Sequence, residues 1–355
     1  MLETWIDHWG DGAVLAAAGA LTGVLFGAMA QHSKFCLRAA TVEVAEARFG
    51  ARLSIWLIAF TAAVFAVQAA IATGFLDVSQ ARPLAATGSM SGAIIGGLMF
   101  GCGMILARGC ASRLLILSAT GNLRALITGL VLTLVAQASL RGALSPAREW
   151  MGSLWLVQGG EGRNMLSQIG MGAPLAAVLA GAGLVAALVL SRKRLVPSSE
   201  ALAGAGVGVA VGLGYLLTYA IAQTSFEPIA ISSVTFTGPS TDTLMGLVNE
   251  AELPWGFGLG LVPGVFVGAG GMALLRGEAQ IQRFGPDTPM ERYLVGAVLM
   301  GFGSMLAGGC AVGAGMSGGS IFAVTAWVAL FCMWIGAMVT HLLLLRPAVV
   351  GRAAT

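Results

Sequence analysis

Apolar runs of about 20 residues, the length that crosses a bilayer as a helix, recur nine times along the chain. They predict spanning helices at about 11–30, 52–74, 88–107, 123–140, 170–190, 202–223, 255–275, 292–307 and 321–345. Polar stretches between them are short, with one exception at 141–170. Four connections do not read as simple solvated loops: 31–38, 110–121, 225–249 and 310–319. Each is unlike a span, yet too apolar or too rich in small residues to lie free in water. Such backbone is tolerated at membrane depth only where it lines a protein-walled cavity, so these four are expected to be re-entrant.

The order span, short piece, span, span, short piece, span describes 11–140 and again 202–345. The two stretches also share a decapeptide. Gly101 to Cys110 and Gly301 to Cys310 both fit G-x-G-x-x-L-A-x-G-C, and self-similarity at a fixed offset marks a duplicated unit. The segment 141–201 lies between, as an outer loop, one connector span and the basic linker Arg192-Lys193-Arg194. One odd span reverses the second unit. The expected fold class is therefore an all-α polytopic membrane protein of about nine transmembrane helices plus short re-entrant half-helices, in two inverted repeats. Inverted repeats whose broken helices meet at the midplane are the architecture of many transporters.

Composition agrees. Charged residues make up 10% of the chain, against roughly 25% in soluble domains, so the net charge of +3 is no nucleic-acid signal and no nucleic-acid partner is expected. Charge matters loop by loop. With the N-terminus outside, the inner segments hold Lys34, Arg38, Arg48, Arg52, Arg108, Arg113, Arg124, Arg192, Lys193, Arg194, Arg276, Arg283, Arg292, Arg346 and Arg352. The outer ones hold Arg82, Arg141, Arg148 and Arg163, which is 15 against 4. Positive-inside bias of that size predicts that the N-terminus lies outside and the C-terminus inside. The first ten residues are acidic and do not read as a signal peptide, so the first apolar run is expected to stay as a span.

The chemistry lies in cysteine. The five thiols Cys36, Cys102, Cys110, Cys310 and Cys332 are odd in number and lack a C-x-x-C, so neither a disulfide framework nor a zinc ribbon fits. Cys110 and Cys310 each follow glycine-rich backbone and precede a short apolar piece. A half-helix starting there would aim free N–H groups and its positive dipole end at a cavity, where an anion binds. Gly109 and Gly309 would let the backbone come close to that anion. Cys36, in the first re-entrant piece, joins them as a candidate. If that piece is helical, Lys34 and Arg38 share a face away from the thiol; both are expected to be interfacial anchors. Cys102, matched by Phe302, and Cys332, beside Met333 and Trp334, read as packing. His32, four residues before Cys36, has too few companion ligands for a metal. Glu43 and Glu46 read as a solvated face. No Walker pattern, dinucleotide fingerprint or nucleophile elbow is present; no enzyme activity, metal or cofactor is expected.

The duplicated decapeptide and the segment Ser33-Lys34-Phe35-Cys36-Leu37-Arg38 resemble the YeeE/YedE family of sulfur-transport membrane proteins, over both halves of the chain. The resemblance implies nine spans, half-membrane helices and a pseudo-symmetric hourglass. It also implies uptake of thiosulfate, passed between thiols by transient hydrogen bonds from S–H, with Cys36, Cys110 and Cys310 as the stepping points. The expected partners are then a small sulfur oxyanion and the lipid bilayer, with a soluble cytoplasmic sulfur-carrier protein a further candidate at the basic inner face. A sulfur relay forming a cysteine persulfide, and a carrier or channel for another small anion, remain the alternatives.

Overall fold

The computed structural model describes residues 2–249, 255–283 and 290–345. Arg346 and Arg352, two of the cations used to orient the chain, lie outside them. The helices are α1 (Leu2–Trp9), α2 (Asp11–Ser33), α3 (Leu37–Ala45), α4 (Ala51–Ala72), α5 (Arg82–Ala85), α6 (Met90–Leu106), α7 (Ala111–Ala119) and α8 (Leu123–Arg141). They continue as α9 (Ser145–Ser153), α10 (Met165–Gln168), α11 (Ala173–Lys193), α12 (Ser198–Thr224), α13 (Thr237–Asn249), α14 (Phe257–Leu275), α15 (Met290–Ala307) and α16 (Val324–Thr340). Ala311–Gly318 forms a wider π-helical piece, a geometry that recurs at functional sites. Among the described residues, nine helices are long and apolar enough to cross a membrane, counting α2, α6 and α15 each with the short piece that follows.

Glycine sets how closely these helices pack. With lipid as solvent, helices associate through close backbone approach rather than hydrophobic burial. On α2, Gly19, Gly23 and Gly27 recur every fourth residue and face the carbonyls of Phe257, Leu261 and Val265; on α14, Gly260, Gly264 and Gly268 face those of Ala16, Ala20 and Val24. No Cβ fits at any of the six. The α6–α15 contact is reciprocal. A Cβ on Gly303 would lie 2.8 Å from the Gly96 carbonyl oxygen and one on Gly96 2.5 Å from that of Gly303; Gly103 and Gly296 repeat the pairing at 2.6 and 2.7 Å. Connector α11 turns Leu175, Val178, Leu179, Val185 and Val189 outward, as a lipid-facing helix does.

The short pieces fold inward between the spans. Helix α3 packs on α4 and α16, and α13 on α14 and α8; α7 packs on α8 and α14, and 311–318 on α16 and α4. Two elbows are pinned from outside their own half. After α7, the amides of Gln280 and Gln282 donate to the carbonyls of Thr120 and Gly121 at 3.1 and 3.0 Å. After 311–318, the amide of Met165 donates to the Phe322 carbonyl at 2.9 Å. Met165 belongs to the long 142–172 connection, which is not a slack loop. It contributes α9, α10 and a strand, β2 (Leu156–Val157), paired antiparallel with β1 (Gly88–Ser89) at the start of α6. The Ser89 and Ser91 hydroxyls donate to the carbonyls of Gly152 and Met151 at 2.6 and 2.7 Å.

Two expectations need correction. Lys34 and Arg38 do not share a helical face, because Lys34 turns left-handed (φ 55°) to end α2 and α3 starts only at Leu37. Glu43 is not a solvated charge: its carboxylate accepts from the amides of Gly50, Arg52 and Leu53 at 3.1, 3.2 and 2.9 Å and so caps the start of α4. Glu46 is exposed and lies 3.1 Å from His341 Nε2.

Candidate functional site

Three cysteines occupy the same local position. Cys36, Cys110 and Cys310 are the residues just before α3, α7 and 311–318, each with extended backbone at the helix start. The sequence forces this. A spanning helix ends at a residue with left-handed backbone (Lys34, Arg108 or Gly308), and the next helix starts just after the thiol. Before Cys110 the left-handed residue is Arg108 (φ 56°), a costly conformation for a residue with a Cβ; before Cys310 it is Gly308 (φ 81°). The two site glycines are not equivalent. A Cβ on Gly309 would lie 2.9 Å from the Ala314 amide, whereas one on Gly109 meets Leu114 and Arg113 at an ordinary 3.5 and 3.7 Å. Gly309 is sterically required and Gly109 is not.

Cys110 and Cys310 are buried, and Cys36 is half-buried. Cys110 lies within electrostatic reach of both Cys36 and Cys310, so the structure brings the three together around Cys110. Among the described residues no three His, Cys, Asp or Glu side chains gather into a metal site. The Cys110 sulfur is 3.3 Å from the Ser112 hydroxyl, and Cys310 Sγ accepts from the Gly313 amide at 3.4 Å. Phe26, Phe35, Phe100, Met104 and Phe236, all nearly inaccessible, belong to the same buried core as Cys110 and Cys310. Cys102 and Cys332 stand apart. Both lie at the α6–α16 contact, where Cys102 Sγ is 3.6 Å from the Gly336 carbonyl and the Cys332 Cβ lies against Gly97. His32 is engaged with Arg276 at 2.8 Å.

A cavity of about 570 Å³ opens above the Cys310 turn. Its wall includes Gly308, Gly309 and Gly313, and all four of the cations counted as outer: Arg82, Arg141, Arg148 and Arg163. Arg163 is the most constrained. It is 6% exposed, its two terminal nitrogens donate to the Ala86 carbonyl at 2.5 Å and the Thr325 hydroxyl at 2.6 Å, and its Nε has no partner among the described residues. Burial, with Arg82 adding to it, pushes this guanidinium below its ordinary range. Arg148 donates to the Ser139 carbonyl at 2.8 Å and pairs with the exposed Glu149 at 2.9 Å. One acid, Asp242 of α13, shares the wall; burial raises its pKa, and Arg141 opposes the rise. Counting loop charges could not show that four arginines from two connections converge on one mouth, nor that an acid joins them.

Fold and site together define a multi-pass membrane transport protein for a small anion. The cationic mouth lies beside the turn that carries Cys310, its wall including Gly308, Gly309 and Gly313. The chain belongs to the Sulphur transport family, whose model matches residues 32–339, in line with the resemblance carried by the cysteine motifs. It is similar to the thiosulfate transporter TsuA of Spirochaeta thermophila, 27% identical over 328 residues that cover 88% of this chain and 93% of that one. It is also similar to the thiosulfate transporter TsuA of Escherichia coli, 25% identical over 358 residues covering 95% and 97%.

Proposed function

We propose that this protein carries thiosulfate, or a closely related sulfur oxyanion, inward across the bacterial inner membrane. The observation that carries the reading is the sequence of environments: a mouth lined by four arginines, then Cys310, Cys110 and Cys36, each at the start of a half-helix. Arginines gather a dianion from solution. Buried S–H groups are weak donors, so each step holds the anion without trapping it, and half-helix amides share the charge. The names of the two relatives support thiosulfate as cargo. The arginine mouth faces the periplasm in this reading, with the N-terminus on that side and the C-terminus in the cytoplasm.

Residues 11–140 and 202–345 act as two inverted repeats around this path. Support comes from the packing. Exchanging α2, α3, α4, α6, α7 and α8 for α12, α13, α14, α15, 311–318 and α16 turns the α2–α14 contact into α12–α4, α6–α16 into α15–α8, and α3–α16 into α13–α8. All of these contacts are present. The test is uptake of labelled thiosulfate by cells lacking their own sulfur transporters. Uptake well above an empty-vector control is expected; no uptake with the protein present in the membrane would overturn the reading. A stable persulfide on the purified chain, seen by intact mass after incubation with thiosulfate, would favour a relay instead.

A further inference from the structure

Each repeat has a short piece following its first span, but only the first carries a thiol there. In the first repeat the piece enters as Phe35-Cys36 and continues into α3; in the second it enters as Phe236-Thr237 and continues into α13. Both phenylalanine rings pack on Phe26, at centroid distances of 6.5 and 5.1 Å. The residue that follows the phenylalanine is therefore held in a comparable place: Cys36 in one case, Thr237 in the other. The neighbourhoods correspond too. Cys36 lies within electrostatic reach of Cys110. The segment leading to Thr237 is tied to the half-helix headed by Cys310, with the Ser317 hydroxyl donating to the Val234 carbonyl at 2.6 Å and Gly313 seated against Thr235.

Thr237 is 1% exposed and lines the arginine cavity. Its hydroxyl has no partner among the described residues. Thr218, Thr241 and Thr243, also buried, each donate to the carbonyl four residues back. As the first residue of α13, Thr237 has no helical carbonyl there. A buried hydroxyl left unpaired is costly, a cost that a bound anion would remove.

Resting on the transport reading above, we propose that the Thr237 hydroxyl is a fourth neutral hydrogen-bond donor on the anion path, the counterpart of Cys36, standing between the arginine mouth and Cys310. The chain then offers the sulfur oxyanion an O–H on one side of the thiol pair and an S–H on the other. Valine keeps the shape of threonine and removes the hydroxyl. Thr237→Val should slow initial labelled-thiosulfate uptake by about fivefold or more, the factor carried by one hydrogen bond of about 1 kcal/mol, with membrane level unchanged and the melting temperature of the anion-free protein equal to the parent's or higher. Thr237→Ser and Thr237→Cys should stay close to the parent. Should the valine variant fail to accumulate, Thr237→Cys decides: its extra thiol should be alkylated by iodoacetamide and protected by thiosulfate. Parent-like uptake by Thr237→Val, or alkylation of Thr237→Cys indifferent to thiosulfate, overturns the proposal while leaving the transport reading intact. A parent chain that takes up no thiosulfate overturns both.

Discussion

Replacing Arg163 by methionine removes one charge from the mouth and keeps most of the stem. Two effects on the fold oppose each other. The variant loses two charge-assisted hydrogen bonds, to the Ala86 carbonyl and the Thr325 hydroxyl, each contributing about 1.5–3 kcal/mol. It also escapes the cost of holding a guanidinium that is 6% exposed and has no ion-pair partner among the described residues, a cost of several kcal/mol per buried ion. The net change in stability should therefore be small, within about 2 kcal/mol of zero. The effect on the anion does not cancel. A dianion roughly 7 Å from a single positive charge gains about 1.2 kcal/mol in a water-like dielectric, and more where water is excluded. That is about eightfold in affinity. Arg163→Met should therefore raise the KM for thiosulfate about eightfold or more at low salt, with little change in maximal rate. The assay is initial uptake across a concentration series in proteoliposomes. Repeating it in about 1 M salt, where charges are screened beyond roughly 3 Å, should shrink the difference. Arg163→Lys restores the charge without the planar fork and should recover most of the KM. A methionine variant with the parent's KM at low salt, at equal amounts in the membrane, would refute the idea that this mouth gathers anions by charge.

Two further outcomes follow from the packing and the acid in the cavity. Gly303→Ala must push apart α6 and α15, since its Cβ would lie 2.8 Å from the Gly96 carbonyl oxygen. It should cost about 1–3 kcal/mol in thermal melts, while Gly129→Ala, with room to 4.0 Å from Leu114, should be neutral or slightly stabilising. Asp242 has a pKa raised by burial, so it protonates above the usual carboxylate range as pH falls. The cavity then loses its one negative charge, and its fold is favoured in the same direction. Uptake at sub-saturating thiosulfate, measured without a proton gradient, should rise with acidity through that raised pKa. Asp242→Asn should be flat and already high; a pH profile unchanged in Asp242→Asn would remove Asp242 from the explanation.

The spans were legible because a bilayer imposes a length of apolar sequence that little else imitates. The half-helix starts were legible for a related reason. A glycine-rich helix that runs into a polarisable thiol and then continues as a short apolar piece must bend somewhere, and Arg108 or Gly308 is where it does. What could not be read was convergence. Arg82, Arg141, Arg148 and Arg163 look like four scattered loop cations until the 142–172 connection is seen to fold back, pair β2 with β1 and carry Arg163 under Thr325. Nor does spacing show that Glu43 turns back to cap α4, because that carboxylate's partners are three amides beyond a turn. Lys34 and Arg38 failed for a local reason. The left-handed residue at 34 breaks the helical phase that their separation assumes. Thr237 carries no signal of its own in the sequence. Its place beside Phe236 becomes visible only when both phenylalanines meet on Phe26.

The central claim is that buried thiols hand the anion across the membrane. Labelled thiosulfate uptake into liposomes holding only the purified chain tests it most directly, comparing the parent with the Cys36→Ala, Cys110→Ala, Cys310→Ala triple variant and with a Cys102→Ala, Cys332→Ala control. The account predicts uptake by the parent and the control, and none above empty liposomes by the triple variant at matched protein and melting temperature. Full uptake by the triple variant would contradict it.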